Sequence, residues 1–156
     1  MWITQKEPWA LFMIGIDTNI LVYAHRGIME GHERCREAIE SLVKSGTPFV
    51  VPWPCVHEFI GAVTNPRKFP QPTPMVLAVS YLADLAALPQ CRFVGEGHRH
   101  MEILAQLLVS SRVTGPRVHD ARIAAICLAH GVTELWTADR DFSYFPRLRT
   151  HNPLSG

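Results

Sequence analysis

At 156 residues the chain has the size of one domain, large enough to bury roughly two-thirds of the surface its unfolded form exposes without disulfide support. Its formal net charge of +1 sets up no global basic field, so nucleic-acid recognition would have to rest on local features. Cys35, Cys55, Cys91 and Cys127 form no C-x-x-C pair, the histidines show no H-E-x-x-H spacing, and no apolar run reaches the length of a membrane span.

Residues 1–12 read as an N-terminal extension ahead of an alternative start at Met13, and residues 13–154 as a single domain. Lys6, Glu7 and Pro8 break any signal-peptide pattern, and the cysteines sit in apolar or helical contexts as reduced core thiols, so a reducing cytoplasm is the expected compartment. The apolar run Leu11–Ile16 predicts a strand buried on both faces. After Asp17, Thr18 and Asn19 supply capping residues for a short helix through Tyr23. A second helix, about Gly31–Ser45, turns Cys35, Ala38, Ile39, Leu42 and Val43 inward and Glu33, Arg34, Arg36, Glu37 and Glu40 outward, and Gly46 ends it.

Phe49–Val51 predicts a second strand, and a helix over Cys55–Thr64 follows Pro52 and Pro54, with Glu58 in its first turn. Thr73 and Pro74 open a helix that runs to Leu88. Arg92–Val94 predicts a third strand, His98–Arg112 a helix, and Gly115-Pro116 the start of a last long helix that Gly131 closes. Leu135–Thr137 reads as a fourth strand and Leu148–His151 as a short fifth. This alternation predicts an α/β fold, a three-layer α/β/α sandwich around a mostly parallel sheet of four to five strands. Two helices between strands two and three, and again between three and four, imply that one of each pair crosses the sheet or projects from it.

In such a fold the strand C-termini and the helix N-termini share one edge. Asp17 and Asp139 fall at strand ends, and Glu58 and Asp120 in first helical turns, so four acids converge on one rim. Two carboxylates about 5 Å apart at an effective dielectric near 20 repel by roughly 3 kcal/mol. Three or four stay ionised together only when a cation binds. Mg²⁺ or Mn²⁺, which accepts one or two carboxylates and keeps waters, suits such a rim and points to hydrolysis of phosphodiesters. Taken singly, each acid reads equally well as a helix cap, a dipole partner or a turn residue; the coincidence of four favours the metal. Asp141 reads either as an extra ligand or as a cap for the turn through Phe142. His57 and His119, next to Glu58 and Asp120, point about 100° away on their helices and are read as residues that pack or orient and do not share the metal. Thr18, Asn19 and Thr137 are placed to fix carboxylate rotamers.

The ordered set Ile16-Asp17-Thr18-Asn19-Ile20-Leu21-Val22, helical Glu58, His119-Asp120-Ala121 and Thr137-Ala138-Asp139-Arg140-Asp141-Phe142 resembles a PIN-domain ribonuclease, specifically a toxin of the VapC type. The resemblance covers nearly everything from Met13 to Leu154, with the dozen N-terminal residues and the long Pro-rich stretch Asn65–Pro74 as departures. It implies metal-dependent endonucleolytic cutting of RNA with one or two Mg²⁺ or Mn²⁺ ions, homodimerisation, and neutralisation by a VapB-type antitoxin whose C-terminal segment occupies the groove. Carried over, Asp17, Glu58, Asp120 and Asp139 are the catalytic acids; Asp17, Asp120 and Asp139 hold the metal; Asp141 supplements them. Arg67, Lys68, Arg117 and Arg140 are candidates for phosphate contact or ordinary surface charge. A phosphatase of the haloacid-dehalogenase kind or a receiver domain lacks support, because no lysine follows Lys68 and no D-x-D follows the first strand. The remaining alternative is an inactive PIN scaffold that only binds RNA or protein.

Overall fold

The computed structural model describes residues 12–155, so residues 1–11 of the expected extension lie outside it. Five short strands, β1 (Ile14–Ile16), β2 (Phe49–Pro52), β3 (Cys91–Val94), β4 (Glu134–Trp136) and β5 (Arg149–His151), pair in the order β3-β2-β1-β4-β5, every pair parallel. Ile14 stands opposite Phe49 on one side and Glu134 on the other. The central strands are buried throughout, which is why their sequences read as unbroken apolar runs. At one edge β5 exposes Arg149, Thr150 and His151, polar residues that discourage further strand pairing.

Among the described residues six helices cover the sheet: α1 (Thr18–His25), α2 (His32–Ser45), α3 (Trp53–Val63), α4 (Met75–Ala86), α5 (His100–Ser111) and α6 (Arg117–Ala129). The chain steps from β1 to β2 to β3 in one direction and then returns past β1 to β4. Right-handed crossovers therefore put α1–α4 on one face and α5–α6 on the other. Packing agrees: α1 meets α2 and α3, α3 meets α4, and α5 meets α6. The expected three-layer α/β/α sandwich is what forms. The paired helices of each crossover pack against each other, and in the last pair α6 is the inner member. It buries Ala121, Ile123, Ala124, Ala125, Ile126 and Cys127, whereas α5 buries only Ile103 and Leu107.

Two glycines hold positions a side chain would disrupt. A Cβ on Gly15 would lie 3.2 Å from Leu135 and Val132 and 3.4 Å from the Cys127 sulfur, so its absence lets α6 settle on the central strand. Gly31, at φ +95°, enters α2 in the left-handed region, and the Leu154 side chain fills the space its missing Cβ leaves. Arg34 Nη1 donates to the Leu154 carbonyl at 2.8 Å, which ties the Asn152-Pro153-Leu154 stretch to that helix.

Several boundaries differ from expectation for identifiable reasons. β1 begins at Ile14; Met13 precedes it, its carbonyl accepting from Thr133 N–H at 2.8 Å. Asp17, not Thr18 or Asn19, caps α1, because its side chain accepts the Thr18 N–H. α3 starts at Trp53, since Pro54 falls in the first turn where its missing N–H has no partner to lose; Glu58 is therefore in the second turn, not the first. β4 ends at Trp136, which leaves Thr137 just beyond the strand. No helix among the described residues is long and apolar enough to cross a membrane.

Gly15→Val should destabilise the fold by about 2 kcal/mol through overpacking between β1 and α6, read as a lower urea midpoint with an unchanged slope.

Candidate active site

Because every strand runs the same way, all strand C-termini open onto one rim. β1 delivers Asp17 there and β4 delivers Thr137 and Asp139; α3, entering directly from β2, carries Glu58, and the first turn of α6 carries Asp120. Asp17, Glu58, Asp120 and Asp139 line one cleft of about 290 Å³ together with Thr18, Asn19, Tyr23, Met29 and Lys68.

Asp17 is the buried member, 5 % exposed. Its Oδ1 accepts the Thr18 N–H at 2.8 Å and the Cys55 thiol at 3.4 Å; its Oδ2 accepts the Thr137 hydroxyl at 2.7 Å and Asn19 Nδ2 at 3.3 Å. Burial raises its pKa, and the bonds from Thr137, Thr18 and Cys55 pull it back. The Thr137 hydroxyl spends its single proton on Asp17 and accepts from Asn19 Nδ2 at 3.3 Å and from Asp139 N–H at 3.0 Å. Asn19 Oδ1 accepts the Ala138 N–H at 3.0 Å. Asn19 and Thr137 thus join the ends of β1 and β4 through one network, and Thr18 enters it through its N–H to Asp17.

Asp120, Asp139 and Asp141 each offer an oxygen such that all three lie within 4.8 Å of one another. Asp139 caps the 3₁₀ turn Arg140–Tyr144 by accepting the Asp141 N–H at 2.8 Å, and this aims both acids toward Asp120. Of the two sequence readings of Asp141, the cap falls to Asp139 instead, because it is the Asp139 side chain that accepts the Asp141 N–H; Asp141 stands in the turn, close to the other two acids. Asp17 lines the same cleft outside this trio. Desolvation pushes Asp120 up to about 6, and the negative charges of Asp139, Asp141, Asp17 and Glu58 add to it. The donor set is carboxylate oxygen alone, which fits a hard cation of the Mg²⁺ or Mn²⁺ type and not a thiolate- or imidazole-seeking metal.

Glu58 is exposed to the cleft, and its Oε2 accepts the Thr18 hydroxyl at 2.9 Å. His57 packs against Trp53 with ring centroids 6.1 Å apart, and His119 is exposed. Of the four basic candidates, Lys68 reaches the cleft lining. Arg117 lies over the Tyr144 ring at 4.5 Å with Nη2 4.0 Å from Asp141. Arg67 and Arg140 are exposed and do not line the cleft. Cys55 is a residue that sequence reasoning took for plain core; its place three residues before Glu58, on the same helical face, was the available signal.

A family model described as PIN domain matches residues 14–148. The chain is 36 % identical over 144 residues to Ribonuclease VapC43 of Mycobacterium tuberculosis, spanning 92 % of this chain and 97 % of the relative. It is 31 % identical to Ribonuclease VapC31 of the same organism over 90 % of this chain and 99 % of the relative. Among solved structures, VapBC2 from Rickettsia felis bound to a DNA fragment from its promoter superposes with a TM-score of 0.66 at 18 % identity, covering 90 % of this chain and 98 % of that one.

With the pKa of Asp120 raised from 3.8 to about 6, the folded protein holds a proton that the unfolded chain has already released across that range, so this group's contribution to stability falls as pH rises through it. Metal-free Asp120→Asn should match wild type near pH 4. Above pH 6 it should be more stable by about 1 kcal/mol, a figure reduced from the full linkage value because solvent screens a partly exposed carboxylate; urea melts in chelator check the crossover. Thr137→Val should cost about 2–3 kcal/mol, because it strips a hydrogen bond from the buried Asp17 carboxylate and leaves the Asp139 N–H unmet.

Proposed function

The chain belongs to the PIN-domain family, among ribonucleases of the VapC type, and from that premise we propose that it hydrolyses RNA phosphodiester bonds at the acidic cleft as the toxin half of a toxin–antitoxin pair. The observation that carries this reading is the convergence of Asp120, Asp139 and Asp141 within 4.8 Å, in a cleft that Asp17 and Glu58 also line. Asp120 and Asp139 hold Mg²⁺ or Mn²⁺, one ion or two, with Asp141 as a supplementary ligand and Asp17 acting directly or through water. The bound cation supplies Lewis-acid polarisation of a phosphate oxygen and acidifies a water molecule.

The protein's own groups do the rest. Thr18 fixes Glu58 through Oε2, which leaves Oε1 to take a proton from the attacking water. The water oxygen bonds to phosphorus as the P–O3′ bond breaks, the departing 3′ oxygen is protonated from solvent, and the products are a 3′-hydroxyl and a 5′-phosphate. The ribose 2′-hydroxyl takes no part, so preference for RNA comes from contacts along the strand, with Lys68 at the cleft and Arg117, Arg67 and Arg140 outside it. Arg117 is engaged by Asp141 and Tyr144 and exchanges that contact for a phosphate.

VapC43 is named as a ribonuclease, and the Rickettsia felis structure is of a VapBC pair. By extension this chain takes a VapB-type antitoxin whose C-terminal segment fills the cleft, works as a homodimer, and acts in the cytoplasm. Four unpaired, buried cysteines fit a reducing compartment.

Purified protein freed of antitoxin should cut total RNA into discrete fragments with Mg²⁺ or Mn²⁺ and leave it intact with chelator, and Asp120→Asn should remove cutting while keeping the fold. Full activity in that variant would overturn the site; intact RNA from wild type under every condition would favour a binding scaffold or a very narrow substrate.

A further inference from the structure

Four carboxylates in one cleft repel a phosphodiester as strongly as they attract a cation, so the placement of positive charge beside them matters for substrate. Lys68 is the single cation among the cleft-lining residues, and it makes no ion pair with an acid among the described residues. It stands on the Pro-rich segment between α3 and α4, outside any helix or strand. Its position therefore depends on what holds that segment.

The segment is held at successive points by one side chain. Asn65 starts it with a tight turn: its Oδ1 accepts the Arg67 N–H at 2.9 Å, and its carbonyl accepts the N–H groups of Lys68 and Phe69 at 3.1 and 3.0 Å. Phe69, next to Lys68, is buried, and the Arg26 guanidinium lies 4.4 Å from its ring centroid. Arg26 Nη2 donates to the Gln71 carbonyl at 2.7 Å, and Nη1 donates to the Thr73 hydroxyl at 3.0 Å. Thr73 is itself buried, its N–H donating to the Val63 carbonyl at 2.8 Å and its hydroxyl meeting His25 Nε2 at 3.0 Å. Arg26 is the residue that ends α1, the helix that Asp17 begins, so the segment is referenced to the element that carries the buried acid. Arg26 lines a separate hollow with Phe69 and Gln71 and is absent from the cleft lining.

We infer that Arg26 is a positioning residue: by clasping Phe69, Gln71 and Thr73 it sets Lys68 at the mouth of the acidic cleft to receive a backbone phosphate of a single-stranded RNA. This rests on the ribonuclease reading above. A planar guanidinium that stacks on a ring and donates from both terminal nitrogens does this in a way that an ammonium cannot. Preorganising the segment spares the bound state the ordering cost that a free loop would impose.

The test is a double-mutant cycle on cleavage and binding of a fluorescein-labelled single-stranded RNA of mixed sequence. Lys68→Ala and Arg26→Ala should each raise KM by about tenfold with kcat within about twofold, and should each make the salt dependence shallower by about one phosphate contact, a slope change near 0.7. The double variant should be no worse than Lys68→Ala alone, because Arg26 acts through Lys68. Arg26→Lys should resemble Arg26→Ala. Thr73→Val, which removes the shared hydroxyl while leaving Arg26 in place, should give a smaller rise in KM of the same kind, and it serves as the clasp variant if Arg26→Ala melts below the assay temperature. Unchanged KM in Lys68→Ala, additive effects in the double variant, or wild-type behaviour of Arg26→Lys would each overturn the inference. Fluorescence anisotropy with the same RNA needs no turnover. A wild type that binds but does not cut would count against the ribonuclease reading alone, while the order of affinities among the variants still decides for or against the clasp.

Discussion

The structure turns on a buried carboxylate, Asp17, that has been given a donor for every direction in which it can accept. A charge at 5 % exposure is costly unless compensated, and here the compensation comes from a helix N–H, a thiol on α3, and an amide and a hydroxyl from α1 and the end of β4. Each donor belongs to an element that must be in place for the cleft to exist. The parallel sheet brings the ends of β1 and β4 side by side, and Thr137 converts that adjacency into a fixed geometry by bonding Asp17 and the Asp139 backbone with one oxygen. Shape and chemistry of the rim are consequently one problem with one solution.

The half-buried acids follow the opposite principle. Asp120, Asp139 and Asp141 are held close with no internal cation to balance the trio fully; Arg117 approaches Asp141 alone, at 4.0 Å. Partial burial raises the pKa of Asp120, and this unrelieved repulsion adds to it. A cluster built for stability would have been interleaved with lysine or arginine. This one concentrates negative charge in a small cleft and sets one lysine at its border, which is an arrangement suited to admitting a small dication and a polyanion together.

Much of this was legible in the sequence because the informative residues are locally determined. Ile14-Gly15-Ile16 can be a buried strand and little else, Gly115-Pro116 and Gly131 bracket α6, and an acid directly after an apolar run in an alternating chain must sit at a strand end. What escaped was set by distance. The helix expected to follow both prolines starts instead at Trp53, because Pro54 is a comfortable first-turn residue. Cys55 looks apolar in sequence; only the folded chain brings its thiol to Asp17. Asp141 was named beside the other acids in the sequence, but the 3₁₀ turn that Asp139 caps and that places it in the trio is too short to leave a periodicity. Arg26 and Thr73, 47 positions apart, carry no pattern that would pair them.

The long reach of the Asp17 network also bears on when the cleft can exist. Thr137 lies 120 residues downstream of the carboxylate it serves, and Asp139 and Asp141 come later still. During synthesis a chain emerging from the ribosome can form α1–α4 well before these residues are made, yet at that stage Asp17 lacks its strongest partner and the trio lacks two of its three acids. A chain of this ribonuclease family is thereby left without a formed acidic cleft while it is still attached to the RNA-based machine and the message that produce it.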